Sequence, residues 1–370
     1  MAEPTILIAS LLKPTADPRI RAKLANSLSK IAHLYLVGLE SGSPLSSNPK
    51  ITEIRLKKFD RLSLQRFWQS LKVWEQVKQI QPDVLIVNTP ELLWVGLFYK
   101  IRYKGLVIYD VLENYFQNIW YQHNYPTWLK PILVTALALT EHFSLWFVDY
   151  YLLAEEVYGT DLCFVKNRNL VVANKLAGEY SAKKAVYPLQ KQHFHFVYAG
   201  TISTDYGTED ALRFFIELAH FLPESTLTVI GYCSDNTYRR KLQSLAQGTE
   251  QIIWKVSAEF VPHSELLGHL LDADFALLPY RPNRSTFNCI PAKMYECLAL
   301  QIPMLVSTNP LWRKLCEPEN AALFIDFQDF NAQKVINQIR QTRFYPNPDP
   351  DKWLWQTEEI KLLNLIRNML

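Results

Sequence analysis

Short apolar runs alternate with longer amphipathic stretches along this chain, and they do so twice, with a polar, irregular segment between the two sets. A strand covered on both faces reads as a continuous apolar run, and the helix that carries the chain back to the next parallel strand reads as an amphipathic one. The alternation therefore predicts an α/β fold with parallel sheets. In the first set, TILIAS (5–10), AHLYLVGL (32–39), ITEIRL (51–56), DVLIVN (83–88), LVIYDV (106–111), YYLLAEE (150–156) and NLVVAN (169–174) read as strands. Helices are expected over 19–31, 63–80, 91–103 and 129–148. In the second set, FHFVYAG (194–200), TLTVIGY (226–232), QIIWKV (251–256), FALLPY (275–280), PMLVS (303–307) and AALFID (321–326) read as strands. Helices are expected over 209–220, near Arg239, from His263, and after Asn288.

A chain of 370 residues is too long for one ordinary core and suits two domains of roughly 150 to 200 residues each. The expectation is two doubly wound, Rossmann-like domains facing across a cleft: 1–174, a linker at 175–192, and 193–345. The closing segment, 346–370, follows: past the prolines of YPNPDPD, residues 352–370 read as one last amphipathic helix. Cations exceed anions by only three, so the overall charge calls for no nucleic-acid partner. The five cysteines form no Cys-x-x-Cys pair and have no histidine at metal-ligand spacing; reduced, mostly buried thiols of a cytosolic protein are expected.

The N-terminus lacks a basic region ahead of its apolar run, so no secretory signal is expected. The longest apolar segment, PILVTALALT (131–140), has about half the roughly 20 residues a spanning helix needs, and it predicts a buried helix. In DRLSLQRFWQSLKVW (60–74), Trp and Phe beside Arg and Lys on an amphipathic helix would suit an anionic membrane surface. Core packing with a solvated outer face explains the same pattern.

Several chemistries are excluded or disfavoured. No G-x-G-x-x-G follows a strand, which argues against a dinucleotide-binding dehydrogenase, and no Walker loop is present. Asp272 and Asp274 could suggest a metal–diphosphate pair, but they directly precede a buried strand, where such carboxylates usually end a helix. His193 and His195 alternate in a strand without a third metal ligand nearby. No nucleophile elbow or Cys–His pairing supports a hydrolase.

The segment NCIPAKMYECLALQIPMLVS (288–307) is more specific. Pro291 suits a first helical turn, where free backbone N–H groups and the helix dipole favour an anion. Lys293 adds charge near that end, and Glu296 lies one turn on, on the same side. A carboxylate there can accept both hydroxyls of a ribose while the helix start and the lysine hold a diphosphate. Just upstream, YRPNRSTFN (280–288) is a basic, polar loop leaving a strand at its carboxyl end, where open sheets bind ligands.

These residues resemble those of the GT-B glycosyltransferases, and among them glycosyltransferase family 4, over nearly the whole chain. KPTADPRI (13–20) is similar to the family's first loop, VIYDVLENY (107–115) to its YD-x-His-Glu segment, and FVYAGTISTDYGTEDAL (196–212) to the glycine-containing loop opening the second domain. EFVPHSELLGHLLDADFALLPY (259–280) and PAKMYECLALQIPMLVS (291–307) resemble the donor-binding half. WLWQTEEIKLL (353–363) looks like the terminal helix that crosses back to the first domain. The resemblance implies that Glu296 binds the donor ribose and that the backbone near Val261 and Pro262 borders the base. Gly200 and Thr201 would lie against the diphosphate, Asn288 and Ile290 would line the same nucleotide-sugar site, and Glu113 would face the transferred sugar or the acceptor. Four positions depart from the pattern: Asn288 for the first of two glutamates, Thr201 for an arginine, Tyr206 for a lysine, and Leu112 for the histidine before Glu113. Arg281, Arg284 and Lys293 are near enough in sequence to supply the missing cations, and Arg grips phosphate well.

The resemblance implies a retaining, metal-independent transferase that moves sugar from a nucleotide-diphosphate donor, a co-substrate rather than a cofactor, to a glycan or lipid-linked acceptor. Arg284 and Lys293 would act on the departing diphosphate. The expected setting is polysaccharide assembly in the cytoplasm or at the inner face of the membrane. Two rivals stay open: a transferase-like subunit without activity, suggested by the departures, and a sugar-nucleotide epimerase, for which Glu113 lacks a convincing second acid or base.

Overall fold

The computed structural model describes residues 3–59, 65–121, 125–165, 168–178, 180 and 191–370. The chain divides into two compact units, Met1–Gly178 with Trp355–Leu370, and Glu179–Leu354. Residues 60–64 and most of the segment expected as a linker, 181–190, lie outside the described residues.

Unit 1 is a seven-stranded sheet in the order β3-β2-β1-β4-β5-β6-β7, with every neighbouring pair parallel. Its strands are β1 (Thr5–Pro14), β2 (His33–Leu39), β3 (Ile51–Leu56), β4 (Val84–Val87), β5 (Leu106–Val111), β6 (Tyr150–Leu153) and β7 (Asn169–Val171). Ile6 through Leu11 in β1 and all of β4 are buried, because helices cover both faces and leave no solvent side to alternate with. The first crossover departs from the expected regular helix. Pro18–Ala25 is π-helical and continues into one α turn, α1 (Asn26–Leu28). The Asp17 side chain caps it, accepting from the Arg19 and Ile20 amides at 2.9 and 3.3 Å. The remaining helices are α2 (Gln65–Ile80), α3 (Leu93–Tyr103), α4 (Tyr115–Tyr121), α5 (Lys130–Ser144) and α6 (Tyr158–Asp161).

The segment expected as a buried helix, 131–140, is helical within α5 but faces outward. Only Val134, Leu137, Glu141 and Ser144 of α5 are buried. That spacing of three or four residues is a single core-facing stripe, and the apolar residues off the stripe, Ile132, Leu139 and Phe143, are exposed. Overall hydrophobicity gave no sign of which face turns inward.

Unit 2 is a six-stranded sheet in the order β10-β9-β8-β11-β12-β13, again all parallel. Its strands are β8 (His195–Thr201), β9 (Thr226–Tyr232), β10 (Ile252–Ser257), β11 (Phe275–Leu278), β12 (Met304–Ser307) and β13 (Ala322–Ile325). Its helices are α7 (Thr208–Ala219), α8 (Asn236–Gln247), α9 (His263–Asp272), α10 (Ala292–Leu300), α11 (Pro310–Cys316) and α12 (Ala332–Gln341). Stacked and edge-on rings of Phe196, Phe275 and Phe344, with centroids 5.6 Å apart at each step, knit its core.

The last helix, α13 (Gln356–Met369), belongs to unit 1. Trp355, Leu362 and Ile366 join the cluster formed by Ile6, Leu34 and Ile86. Trp355 donates from Nε1 to Ser27 at 2.8 Å, and Glu358 pairs with Lys175 at 2.9 Å.

Candidate functional site

In an open parallel sheet the chain leaves in opposite directions at the point where strand order reverses, and the crevice this opens at the carboxyl ends of the strands is where ligands bind. In unit 2 that point lies between β8 and β11. Strand β8 reaches its carboxyl end there through Gly200 and Thr201, and the Gly200 φ of +133° is a conformation that L side chains rarely adopt. On the neighbouring strand, a Cβ added to Gly231 would lie 1.7 Å from the Gly200 carbonyl oxygen, so a side chain there would force the turn away. Beyond Gly200, the Tyr198 hydroxyl accepts from Thr208 at 2.9 Å and lies 3.2 Å from the carbonyl oxygens of both Thr201 and Tyr206. That one buried hydroxyl sets the path of the loop that leads into α7.

Helix α10 begins after Pro291 and brings Lys293 to the same turn: a Cβ built on Gly200 would lie 3.6 Å from Lys293 Cε. One turn further, Glu296 is buried and held from two sides. Lys293 Nζ donates to Oε2 at 2.6 Å, and His263 Nε2 lies 2.9 Å from Oε1. Burial alone would push the Glu296 carboxyl up, but the Lys293 charge and the His263 bond outweigh it and hold the carboxyl down at about 2. An ionised carboxylate only accepts, so His263 Nε2 carries the proton of this bond. Pro262 precedes His263 at the start of α9, and beside it the exposed Phe260 ring stacks on Tyr232 with centroids 4.3 Å apart.

Gly200, Lys293, Glu296 and the Val261–Pro262 segment are thus drawn together by β8, α10 and α9. Val261 is half-buried and Pro262 exposed, while Thr201 is exposed at the end of β8. Asn288 and Arg284 are exposed on the loop between β11 and α10, and Ile290 is half-buried. That loop is pinned where Asn309 Nδ2 donates to the Phe287 carbonyl at 2.8 Å and Trp312 Nε1 to that of Cys289 at 2.9 Å. Arg281, which its sequence position made a candidate cation, is committed elsewhere: its Nε and Nη2 grip Asp210 at 2.6 and 2.8 Å. Glu113 belongs to unit 1, between β5 and α4; it accepts from Asn118 at 2.8 Å, and Lys13 Nζ lies 3.8 Å away.

In the sequence His263 reads only as the start of a helix, because its partner Glu296 lies 33 residues away. Asp272 ends α9, and Asp274 accepts from the His195 amide at 3.0 Å and from Lys191 at 2.6 Å, so this pair caps structure. The ring of His195 sits 2.9 Å from the Thr228 hydroxyl. Among the described residues no three His, Cys, Asp or Glu side chains cluster to hold a metal ion.

The depressed Glu296 carboxyl has a measurable consequence. A group whose folded value lies below its unfolded one stabilises the protein above the unfolded value, and the effect is lost as pH falls through the folded one. From the ordinary 4.5 down to about 2, the gap corresponds to about 3 kcal/mol. In urea unfolding stepped from pH 5 to pH 2, the native chain should lose about 3 kcal/mol more than Glu296→Gln does. Equal losses would show that the carboxylate is not held ionised.

No family profile matches the sequence, and no curated protein does. Solved structures match along its length. Sucrose-phosphate synthase from Thermosynechococcus elongatus superposes over 99% of this chain and 99% of its own, at 16% identity and a TM-score of 0.71. Anabaena HepE in complex with UDP-glucose does so over 98% and 99%, at 12% identity and 0.65. A Listeria monocytogenes protein assigned as a UDP-N-acetylglucosamine 2-epimerase covers 99% and 96%, at 11% identity and 0.59. At these identities the likeness speaks for the fold: two parallel-sheet α/β units in series, the GT-B architecture.

Proposed function

We propose that this chain is a glycosyltransferase that takes its sugar from a nucleotide-diphosphate donor bound in unit 2. The observation that carries the reading is the ionised, buried Glu296, held between Lys293 and His263 beside the Gly200 turn at the reversal of strand order. A carboxylate has about four acceptor positions, and the two side chains occupy one on each oxygen, so acceptor capacity is left for two vicinal ribose hydroxyls. Lys293 has three N–H donors and uses one on Glu296, leaving others for a diphosphate lying along the Gly200 turn. The exposed Phe260 ring and the Val261–Pro262 backbone suit the base. HepE bound to UDP-glucose on the same fold supports this class of donor.

In this reading transfer is retaining and needs no metal. The departing diphosphate helps to take the acceptor proton, Lys293 and Arg284 stabilise its charge, and Glu113 faces the transferred sugar or the acceptor, a glycan or a lipid-linked one. The protein supplies position and charge rather than a dedicated base. Polysaccharide assembly in the cytoplasm, against the inner face of a membrane, is the setting that fits, and family 4 is the group it fits.

A second reading has its own support. Arg281 is taken by Asp210, and Thr201 and Tyr206 place no cation on the glycine loop, which suits a donor-binding subunit whose partner performs the chemistry. The Listeria neighbour keeps epimerisation in view as a third. A panel of sugar nucleotides decides among them. The transferase should show donor turnover that falls about 100-fold or more in Lys293→Ala. Donor-induced thermal stabilisation without turnover selects the subunit, and an epimerised sugar formed without acceptor selects the epimerase.

A further inference from the structure

Unit 1 carries large apolar side chains in water where a core would be expected to take them. Trp146 is 83% exposed, Trp128 73%, Leu139 67% and Ile101 66%. Leu139 and Trp146 belong to one continuous surface, on which Trp146 stacks on Phe143 of α5 with centroids 6.0 Å apart. Phe67 of α2 stacks on Trp94 of α3 at 6.4 Å, and Trp94 meets Phe98 edge-on at 5.7 Å. Between α3 and α5 a groove of about 390 Å³ is walled by Trp94, Leu97, Leu139 and Phe143. Apolar surface this extensive marks a docking site.

The charges around it say what docks. On α2, α3 and α5 the exposed acidic side chain is Glu75; Glu141 is buried against the Tyr109 hydroxyl at 3.3 Å. Cations rim the surface instead: Lys72 one turn beyond Trp68, Arg102 one turn beyond Phe98, and Lys104 at the end of α3, all exposed. A second copy of the chain, docked face to face about a twofold axis, would set this cationic rim against itself. A bilayer with anionic headgroups meets both features at once, taking the indole and aliphatic groups to the acyl boundary and the lysines and arginine to the headgroups. No described helix is long and apolar enough to cross a membrane, so the contact lies in the interface plane. We infer that the α2–α3–α5 surface of unit 1 is a lipid-docking face that seats the protein on an anionic bilayer. The inference stands on unit 1 alone and does not need the donor reading.

The test is sedimentation of the full chain with vesicles. Binding to phosphatidylcholine vesicles containing phosphatidylglycerol should be about tenfold or more tighter than to phosphatidylcholine alone, and should weaken as salt rises. Phe98→Ser with Leu139→Gln should reduce binding about tenfold or more, and Lys72→Glu with Arg102→Glu should abolish the preference for anionic vesicles. Sugar-nucleotide binding by the same variants, measured separately, should not change, which keeps this test apart from that of the donor site. The inference is overturned if neither vesicle binds the native chain, or if both variants bind as the native chain does. It is equally overturned if the native chain is a dimer that Phe98→Ser with Leu139→Gln makes monomeric.

Discussion

Replacing Asp110 with alanine should lower the unfolding free energy by about 3 to 5 kcal/mol, the cost of leaving a buried cation without its partner. Asp110 is fully buried at the end of β5, and Arg19, itself almost fully buried on the π-helical crossover, grips it with Nη2 at 2.6 Å and Nε at 3.0 Å. The remaining guanidinium nitrogen donates to the Val172 carbonyl at 2.8 Å and to Asn174 Oδ1 at 3.0 Å. One side chain therefore ties the first crossover to the fifth strand and to the chain as it leaves β7. Arg19→Met with Asp110→Leu, which removes both charges and keeps the volume, should recover most of the loss. Denaturant unfolding of the native chain and the two variants measures this. A single replacement costing less than about 1 kcal/mol would mean that Arg19 finds water or another acceptor once Asp110 is gone.

The second large effect concerns binding. Glu296→Ala should weaken sugar-nucleotide affinity by about tenfold or more, since each lost charge-assisted bond to a hydroxyl is worth about 1.5 to 3 kcal/mol. Calorimetric titration of UDP-glucose, or of whichever donor gives thermal stabilisation, supplies the number. Glu296→Gln keeps the size and part of the acceptor capacity and should fall between the two. Affinity unchanged in Glu296→Ala would remove the ribose role and leave Glu296 as the structural partner of Lys293 and His263.

What could be read in advance follows a physical divide. Strands such as β1 and β4 were legible because burial on both faces writes itself as a continuous run of Ile, Leu and Val, a local property. The Lys293–Glu296 pair was legible because helical geometry puts residues three apart on one side. The Arg281–Asp210 and His263–Glu296 pairs span 71 and 33 residues, and no local pattern announces them. The outward face of α5 was misread for a related reason: apolar residues on every side of a helix reveal no direction, and only the neighbouring elements decide which stripe is covered.

The placement of α13 has a consequence for how the molecule is made. The β-strands of unit 1 are complete by residue 171, yet their shared core takes Trp355, Leu362 and Ile366 from the stretch of sequence that follows unit 2. During synthesis, unit 2 has all of its strands and helices in hand before unit 1 can close. Residues 3–178 produced as a fragment would leave that seam open to water, whereas a circular permutant joining 355–370 ahead of residue 3 would restore unit 1 as one continuous stretch.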